Sequence, residues 1–172
     1  MPRSPLRVSI FSTVDVQITP AAAKEHNVLA ALLQLYVYDF SEMLGLDVDD
    51  DGRYQGPPTE GRDAFLVRVD GKLAGFALVL GKSRLTGEDG VHDVAEFFVL
   101  KRYRRTGVGE KVARWLFDRY PGRWEVRQKE ENARAIAFWR RVIDRYTGGR
   151  FDEEALDDER WRGPVQRFDH HR

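Results

Sequence analysis

The chain has 172 residues, with 28 Lys and Arg balanced by 28 Asp and Glu, four His and no Cys. This length fits one domain over residues 1–172 and is too short for an eight-fold β/α barrel, which needs about 250 residues. Zero net charge argues against a nucleic-acid-coating or membrane-surface protein, since both depend on a basic excess. Without Cys, the chain has no disulfide, thiolate zinc site, iron–sulfur cluster or cysteine nucleophile.

The sequence also indicates where the protein works. No segment approaches the ~18 apolar residues of a membrane span, and the first residues lack the apolar run of a signal peptide. We therefore expect a cytoplasmic protein with no membrane partner. Arg outnumbers Lys among the basic residues, a base-composition bias from which we expect a bacterial source. The His residues show no metal-ligand spacing, so we expect no metal.

The N-terminal part alternates strand and helix patterns. Val14–Ile18 alternates apolar and polar residues, as a half-buried strand does. Thr19-Pro20 then predicts the start of a helix, whose apolar positions recur at three- and four-residue steps up to Gly45. The acidic loop over 47–58 resembles the start of an EF-hand, but Pro58 stands where that loop requires Glu, which excludes a calcium site.

A β-hairpin and a buried strand follow. Ala64–Val69 and Lys72–Leu80 are rich in strand-forming residues and flank Asp70-Gly71, a pair that suits a two-residue turn. After a polar loop over 81–90, Val94–Leu100 is too apolar for a half-exposed strand. We predict that it lies in the middle of a sheet.

The C-terminal part continues the alternation. A basic turn, Arg104–Gly109, leads into a helix that ends near Tyr120, and Trp124–Arg127 is a short strand. Asn132 caps a last helix, which Gly148-Gly149 terminates. Two segments are predicted as edge strands: Arg150-Phe151 and Val165–Phe168. The order β–α–β–β–β–α–β–α–β predicts a single α/β domain with helices flanking a mixed central β-sheet.

The turn Arg104–Gly109 is the most informative segment. It joins a strand to a helix, so unpaired backbone N–H groups and the positive end of the helix dipole meet there. Gly107 and Gly109 let a ligand approach the backbone, and two arginines add donors suited to phosphate. The turn therefore predicts a site for adjacent phosphates. A dinucleotide fingerprint is excluded because Val112 stands where it requires Gly, and a P-loop is excluded because Glu110 stands where it requires Lys. The alternative is that the two glycines only form a tight turn.

Three motifs together resemble one known family. Arg104-x-x-Gly107-x-Gly109 matches the Q/R-x-x-G-x-G/A signature of the GCN5-related N-acetyltransferases, the GNAT superfamily. The preceding Glu96–Tyr103 resembles the family's fourth strand, and Asn132-x-x-Ala135-x-x-Phe138-Trp139 is similar to its N-x-x-A-x-x-F-Y helix. The predicted element order is also the family's order, so the resemblance extends over almost the whole chain.

The resemblance implies acetyl-CoA as the donor and a primary amine, in a small molecule or a peptide, as the acceptor. It places the pyrophosphate on the amides of the turn and the pantetheine arm along the central strand, like an added strand. The Val99 amide would polarise the thioester carbonyl and stabilise the oxyanion. The implied cofactor-binding residues are Phe97, Phe98, Val99, Arg104, Arg105, Thr106, Gly107, Val108, Gly109, Asn132, Phe138 and Trp139.

The resemblance also assigns candidate catalytic residues. Glu96 occupies the position of the general base, although a carboxylate there could instead face solvent or pair with Arg. Tyr36 would line the acceptor cleft, with packing in the core as the alternative. Trp139 stands where many relatives have a Tyr that protonates the leaving thiolate, and an indole cannot do so. Tyr146 is a candidate replacement, unless another Tyr serves or the thiolate leaves unassisted.

We therefore expect direct acetyl transfer to an amine in a ternary complex, because the absence of Cys removes the common covalent route. Two alternatives stay open: an acyl-CoA-binding sensor with little turnover, suggested by Trp139, and transfer of another acyl group or to a hydroxyl. No nucleic-acid partner is expected, and a homodimer is left open.

Overall fold

The structure is a computed structural model that describes residues 14–170; the N-terminal segment considered above for a signal peptide lies outside these residues. All its strands join one mixed sheet in the order β1-β2-β3-β4-β5-β7-β6, which confirms the predicted α/β class. The strands are β1 (Val16–Pro20), β2 (Asp63–Val69), β3 (Lys72–Lys82), β4 (Asp89–Val99), β5 (Gly122–Arg127), β6 (Asp152–Asp157) and β7 (Arg162–His170). The α-helices are α1 (His26–Leu44), α2 (Val108–Arg119) and α3 (Ala133–Thr147).

The helices cover both faces of the sheet. α1 packs on one face through an apolar cluster that includes Leu29 and Leu33, and a larger cluster joins α2 and α3 to the opposite face. Because successive side chains of a strand alternate between the faces, β4 directs Phe98 toward α1 and Phe97 toward α2 and α3. The central strand therefore contributes to two different environments.

The hairpin prediction is confirmed, but the start of the first helix was placed too early. Val69 pairs with Lys72 across a two-residue turn at Asp70-Gly71. Pro20, by contrast, still belongs to β1 and pairs with Phe65, because β1 is an edge strand, where the missing N–H of proline is tolerated. A 3₁₀ turn separates it from α1, which begins only at His26.

The end of the chain also differs from the prediction. β7 is not an edge strand, since it pairs with β5 on one side and β6 on the other. Arg150 and Phe151 precede the edge strand β6 rather than forming it. β6 is an acidic segment with one buried residue, Leu156, so its sequence has no alternation that would predict a strand.

The parallel pair β4–β5 opens along its length. Pairing runs from Val91↔Arg123 to Asp93↔Glu125 and stops there, although β4 continues to Val99. The register across β3 shifts by one residue at Ala95, a β-bulge, and a bulge bends the strand that carries it. The second half of β4 therefore borders a gap in the sheet. Within residues 14–170, no helix is long and apolar enough to cross a membrane.

Candidate functional site

The backbone edge of β4 faces this gap. The Leu100 N–H donates to the Ala74 carbonyl on β3 at 2.8 Å, so alternate residues of β4 turn their backbone groups the other way. Phe97 and Val99 accordingly direct their N–H and C=O groups toward the gap, where β5 no longer pairs with them. This is the arrangement that an extended ligand could complete as an added strand. The Val99 carbonyl already accepts from the Arg104 side chain at 2.7 Å.

The basic turn lies just beyond the end of β4. Gly107 precedes α2 with φ +85°, a left-handed conformation that favours glycine, and a Cβ there would meet no atom within 4 Å. The N-cap of α2 is Gly107, which has no side chain to bond the first N–H groups of the helix, so these groups are suited to a ligand. The Thr106 hydroxyl donates to the Tyr103 carbonyl at 2.6 Å, which fixes the turn from within.

Gly109 is also required by the packing of the helices. A Cβ at this position would lie 3.2 Å from the ring of Phe138 and 3.8 Å from Val99 Cγ2. The small residue therefore lets α3 approach α2 and the end of β4, rather than making room only for a ligand.

The guanidinium of Arg104 does not point outward as a free phosphate donor. Its Nε donates to the Val99 carbonyl at 2.7 Å and its Nη2 to Asp39 Oδ2 at 2.6 Å. Burial tends to raise the pKa of Asp39, but the hydrogen bonds from Arg104 and Lys101 outweigh it and lower that pKa. Arg104 thus contributes its backbone to the turn and its side chain to α1.

Glu96 is mostly buried, with 13% of its side chain exposed, and it is paired. Its Oε2 accepts a 2.6 Å hydrogen bond from the Tyr36 hydroxyl, and Arg84 lies 3.7 Å from Oε1. Burial raises the pKa of Glu96, opposed by the Tyr36 hydrogen bond and the charge of Arg84. Burial, followed by the charge of Glu96, raises the pKa of Tyr36 well above its ordinary value. Of the two alternatives for Glu96, a side chain facing solvent is excluded, and a side chain near Arg is observed. Tyr36 both packs in the core and contacts Glu96.

Next to Glu96 lies an ionic cluster that the sequence reading missed. Asp93 is fully buried, accepts two hydrogen bonds from Arg84 at 2.9 and 3.0 Å, and lies 3.4 Å from Arg127. A second carboxylate three positions before Glu96 was a usable signal, but Arg84 stands in a loop without any pattern. In the described part of the chain, no group of three or more acidic or His side chains is arranged to hold a metal.

The aromatic residues of α3 pack against Phe97 of β4. Trp139 is 5% exposed, with its ring 4.9 Å from that of Phe97 and 5.0 Å from that of Phe138. Asn132 caps α3 as predicted, its side-chain oxygen accepting from the Ala135 N–H at 3.0 Å. The structure therefore brings Phe138 and Trp139 together beside β4.

Tyr146 lies elsewhere. Its hydroxyl donates to Asp118 on α2 at 2.7 Å, and its ring packs on Phe168 and His170. His170 pairs with Gly122 at the beginning of β5, the end at which β4 and β5 are still joined. Tyr146 also follows Trp139 by seven residues, about 10 Å along the helix. Tyr146 therefore lies away from the gap, and its assignment as the proton donor stays a prediction.

Comparison with known proteins agrees with this architecture. The model of the Acetyltransferase (GNAT) family matches residues 29–143, more than half of the chain. The chain belongs to the GNAT acetyltransferase family. No curated protein sequence matches it.

Solved structures share the fold at low sequence identity. A protein from Pyrococcus horikoshii OT3, PH1933, superimposes with a TM-score of 0.61 at 19% identity, over 92% of this chain and 99% of that one. The aminoglycoside acetyltransferase AAC(6')-Ib in complex with coenzyme A gives 0.58 at 15% identity, over 90% and 95%. The ribosomal-protein-S18-alanine N-acetyltransferase from Escherichia coli gives 0.54 at 15% identity, over 89% and 91%.

Proposed function

We propose that this GNAT protein transfers an acetyl group from acetyl-CoA to a primary amine, in a small molecule or a peptide, by direct attack in a ternary complex. The observation that carries the proposal is the position of Glu96. This carboxylate lies on the same strand as the Phe97 backbone and the Val99 N–H, which face the gap, and it is mostly buried, with a raised pKa.

The residues around the gap fit acetyl-CoA. The open edge of β4 is suited to the amide groups of a pantetheine arm, and the start of α2 after Gly107 is suited to a pyrophosphate. Asn132, Phe138 and Trp139 would border the arm from α3. The bound donor supplies a thioester, whose carbonyl carbon accepts the amine.

The side chains of the protein then have separate tasks. Glu96 takes a proton from the substrate ammonium, directly or through water, so that the nitrogen lone pair is free to form the N–C bond as the C–S bond breaks. The Tyr36 hydroxyl holds the carboxylate in place. The Val99 N–H, which faces the gap, donates to the thioester oxygen, where negative charge develops. The thiolate leaves without a tyrosine at position 139, which its modest basicity permits.

A thermal scan tests donor binding. CoA and acetyl-CoA should raise the melting temperature, since a ligand that binds only the native state stabilises it. Gly107→Asp should abolish the shift by placing a negative charge where phosphate lies. Gly107→Asn is the matched control, because Asn tolerates the left-handed conformation and adds no charge; it should keep a shift. No shift for the wild type at millimolar CoA would overturn the proposal.

Thiol release with a panel of amines tests turnover. Amine-dependent release of CoA supports the transferase. If CoA stabilises the chain but no amine causes thiol release, the protein is a sensor instead. The sensor is the main alternative because position 139 is a Trp and Tyr146 lies away from the gap. Comparing acetyl-CoA with longer acyl-CoA donors tests the choice of acyl group. The cytoplasmic location, the bacterial source and the homodimer stay predictions.

A further inference from the structure

Two side-chain nitrogen atoms of an arginine beside the proposed site are unpaired. Arg62 lies immediately before β2, and its Nε and Nη1 are buried with no hydrogen-bond partner among residues 14–170. More than nine in ten buried polar groups in folded proteins are paired, and an unpaired buried donor leaves its desolvation cost uncompensated. The two Arg62 donors therefore either stay without an acceptor at a cost in stability or bind an acceptor that a ligand supplies.

The sheet register places Arg62 near Glu96. Ala64 and Glu96 both pair with Leu78 of β3, from opposite sides, so they share one face of the sheet. Two strand spacings separate Ala64 from Glu96 by about 10 Å. Arg62 starts somewhat farther away, and its long side chain covers much of the distance to Glu96. Arg62 precedes Ala64 by two residues, and its positive charge contributes to lowering the pKa of Glu96.

The other charges nearby are already engaged. Arg84 is bidentate on Asp93, and Arg127 shares the same carboxylate while lying 4.4 Å above the ring of Trp161. Among the described residues, Arg127 Nε is also buried without a partner. Three guanidinium groups thus lie near two carboxylates, Asp93 and Glu96; the buried Glu125 also acts on Arg127, but its charge is balanced by Arg167 at 3.1 Å. Even with Glu96 ionised, the cluster carries one positive charge in excess.

We infer that the acceptor carries, besides its amine, an anionic group that accepts hydrogen bonds from Arg62 while the amine faces Glu96. A carboxylate or a phosphate supplies this chemistry, since a guanidinium binds both. Arg62 is then a residue that determines acceptor specificity. The inference rests on the proposed function and narrows its acceptor to amines with a second, negatively charged group.

Matched pairs of acceptors test this. ω-Amino carboxylates with two to six carbons are compared with alkylamines of the same length, and O-phosphoethanolamine is compared with ethanolamine, by CoA release from acetyl-CoA. One anionic member should exceed its neutral partner in kcat/KM by about tenfold or more. The preferred chain length reports the span between Arg62 and Glu96, and the phosphate pair separates the two anions.

Two variants assign the preference to Arg62. Arg62→Gln should reduce the ratio of kcat/KM between the members of the preferred pair toward one, mainly through KM. Arg53→Gln removes an exposed charge from the same loop and should leave the ratio as in the wild type. A retained CoA-induced melting shift shows that Arg62→Gln is folded, and Arg62→Lys, which keeps the charge, should restore part of the ratio.

Three outcomes overturn the inference: equal rates within every pair, a preference that survives in Arg62→Gln, or a CoA-stabilised chain that acetylates none of these probes. Equal rates within the pairs leave the proposed function intact, because amine-dependent thiol release still occurs. Absence of both CoA stabilisation and thiol release overturns the proposed function itself.

Discussion

The two faces of the sheet at β4 are built for different tasks. On the α2 and α3 face, Phe97 packs against Trp139 and Phe138 in a continuous aromatic core. On the α1 face, one residue away, Glu96 lies among Tyr36 and buried charges. The apolar face supplies stability, because aromatic burial is strongly favourable. Buried ion pairs contribute little net stability, so the charged face points to chemistry. Substitutions on the two faces should therefore separate stability from activity.

The largest expected effect is on the charged face. Glu96→Gln should slow transfer to the acceptor on the order of 10²–10⁴-fold at neutral pH, since the general base is lost, while the melting temperature and the CoA-induced shift stay close to wild type. Glu42→Gln, which changes an exposed carboxylate of α1, is the matched control and should leave the rate unchanged. A rate within twofold of wild type for Glu96→Gln would make Glu96 structural.

The apolar face should respond in the opposite way. Trp139→Ala should lower the free energy of unfolding by roughly 3–5 kcal/mol, because it removes a ring that is 5% exposed; urea denaturation measures this. Trp139→Phe, which keeps an aromatic ring, should retain most of the activity. Loss of activity in Trp139→Phe with unchanged stability would contradict a packing role. A marked gain in turnover for Trp139→Tyr would instead show that the natural site lacks an efficient acid.

A smaller effect is expected where α1 meets the turn. Asp39→Asn should cost about 1–2 kcal/mol of stability at neutral pH, since Arg104 and Lys101 lose a charged acceptor. The folded-state pKa of Asp39 is depressed, so its contribution is present above the unfolded pKa and is lost as pH falls through the folded pKa, below 3.8. From denaturation curves, the difference in free energy of unfolding between wild type and variant should be smaller at pH 3 than at pH 7.

The smallest effect concerns the hydrogen bond to Glu96. The Tyr36 hydroxyl lowers the pKa of Glu96 against the effect of burial, so Tyr36→Phe should raise that pKa further. Glu96 then ionises at higher pH, and the acidic limb of the pH profile of kcat/KM should move to higher pH. Below its midpoint the rate should fall by about tenfold or less, the value of one such hydrogen bond. A profile that moves to lower pH would contradict this assignment.

The sequence predicted those features of the fold that depend on residues close together in the chain. The Asp70-Gly71 turn and the Asn132 cap involve neighbours in the chain, and both were predicted. The first residue of α1 was misplaced, because Thr19-Pro20 has the chemistry of a helix start but is held in β1 by pairing with β2. The acidic strand β6 has no hydrophobic alternation, so only its pairing with β7 reveals it.

The candidate site divides in the same way. The basic glycine turn was found from a six-residue pattern, and the position of Glu96 from an apolar strand. The partner of Arg104, however, is 65 residues away in the chain, and the role of Gly109 depends on Phe138 of another helix. Contacts of this kind arise only when the elements have packed, so no local pattern predicts them.

The bond between Arg104 and Asp39 has a consequence for sequence variation at the turn. The family signature accepts Gln as well as Arg at this position, yet here one planar guanidinium serves two acceptors on different elements, the Val99 carbonyl and the Asp39 carboxylate. The shorter, neutral amide of Gln could not serve both. Arg104 and Asp39 are therefore expected to vary together among descendants of this chain, so that Gln at the first position would be accompanied by loss of the acid on α1.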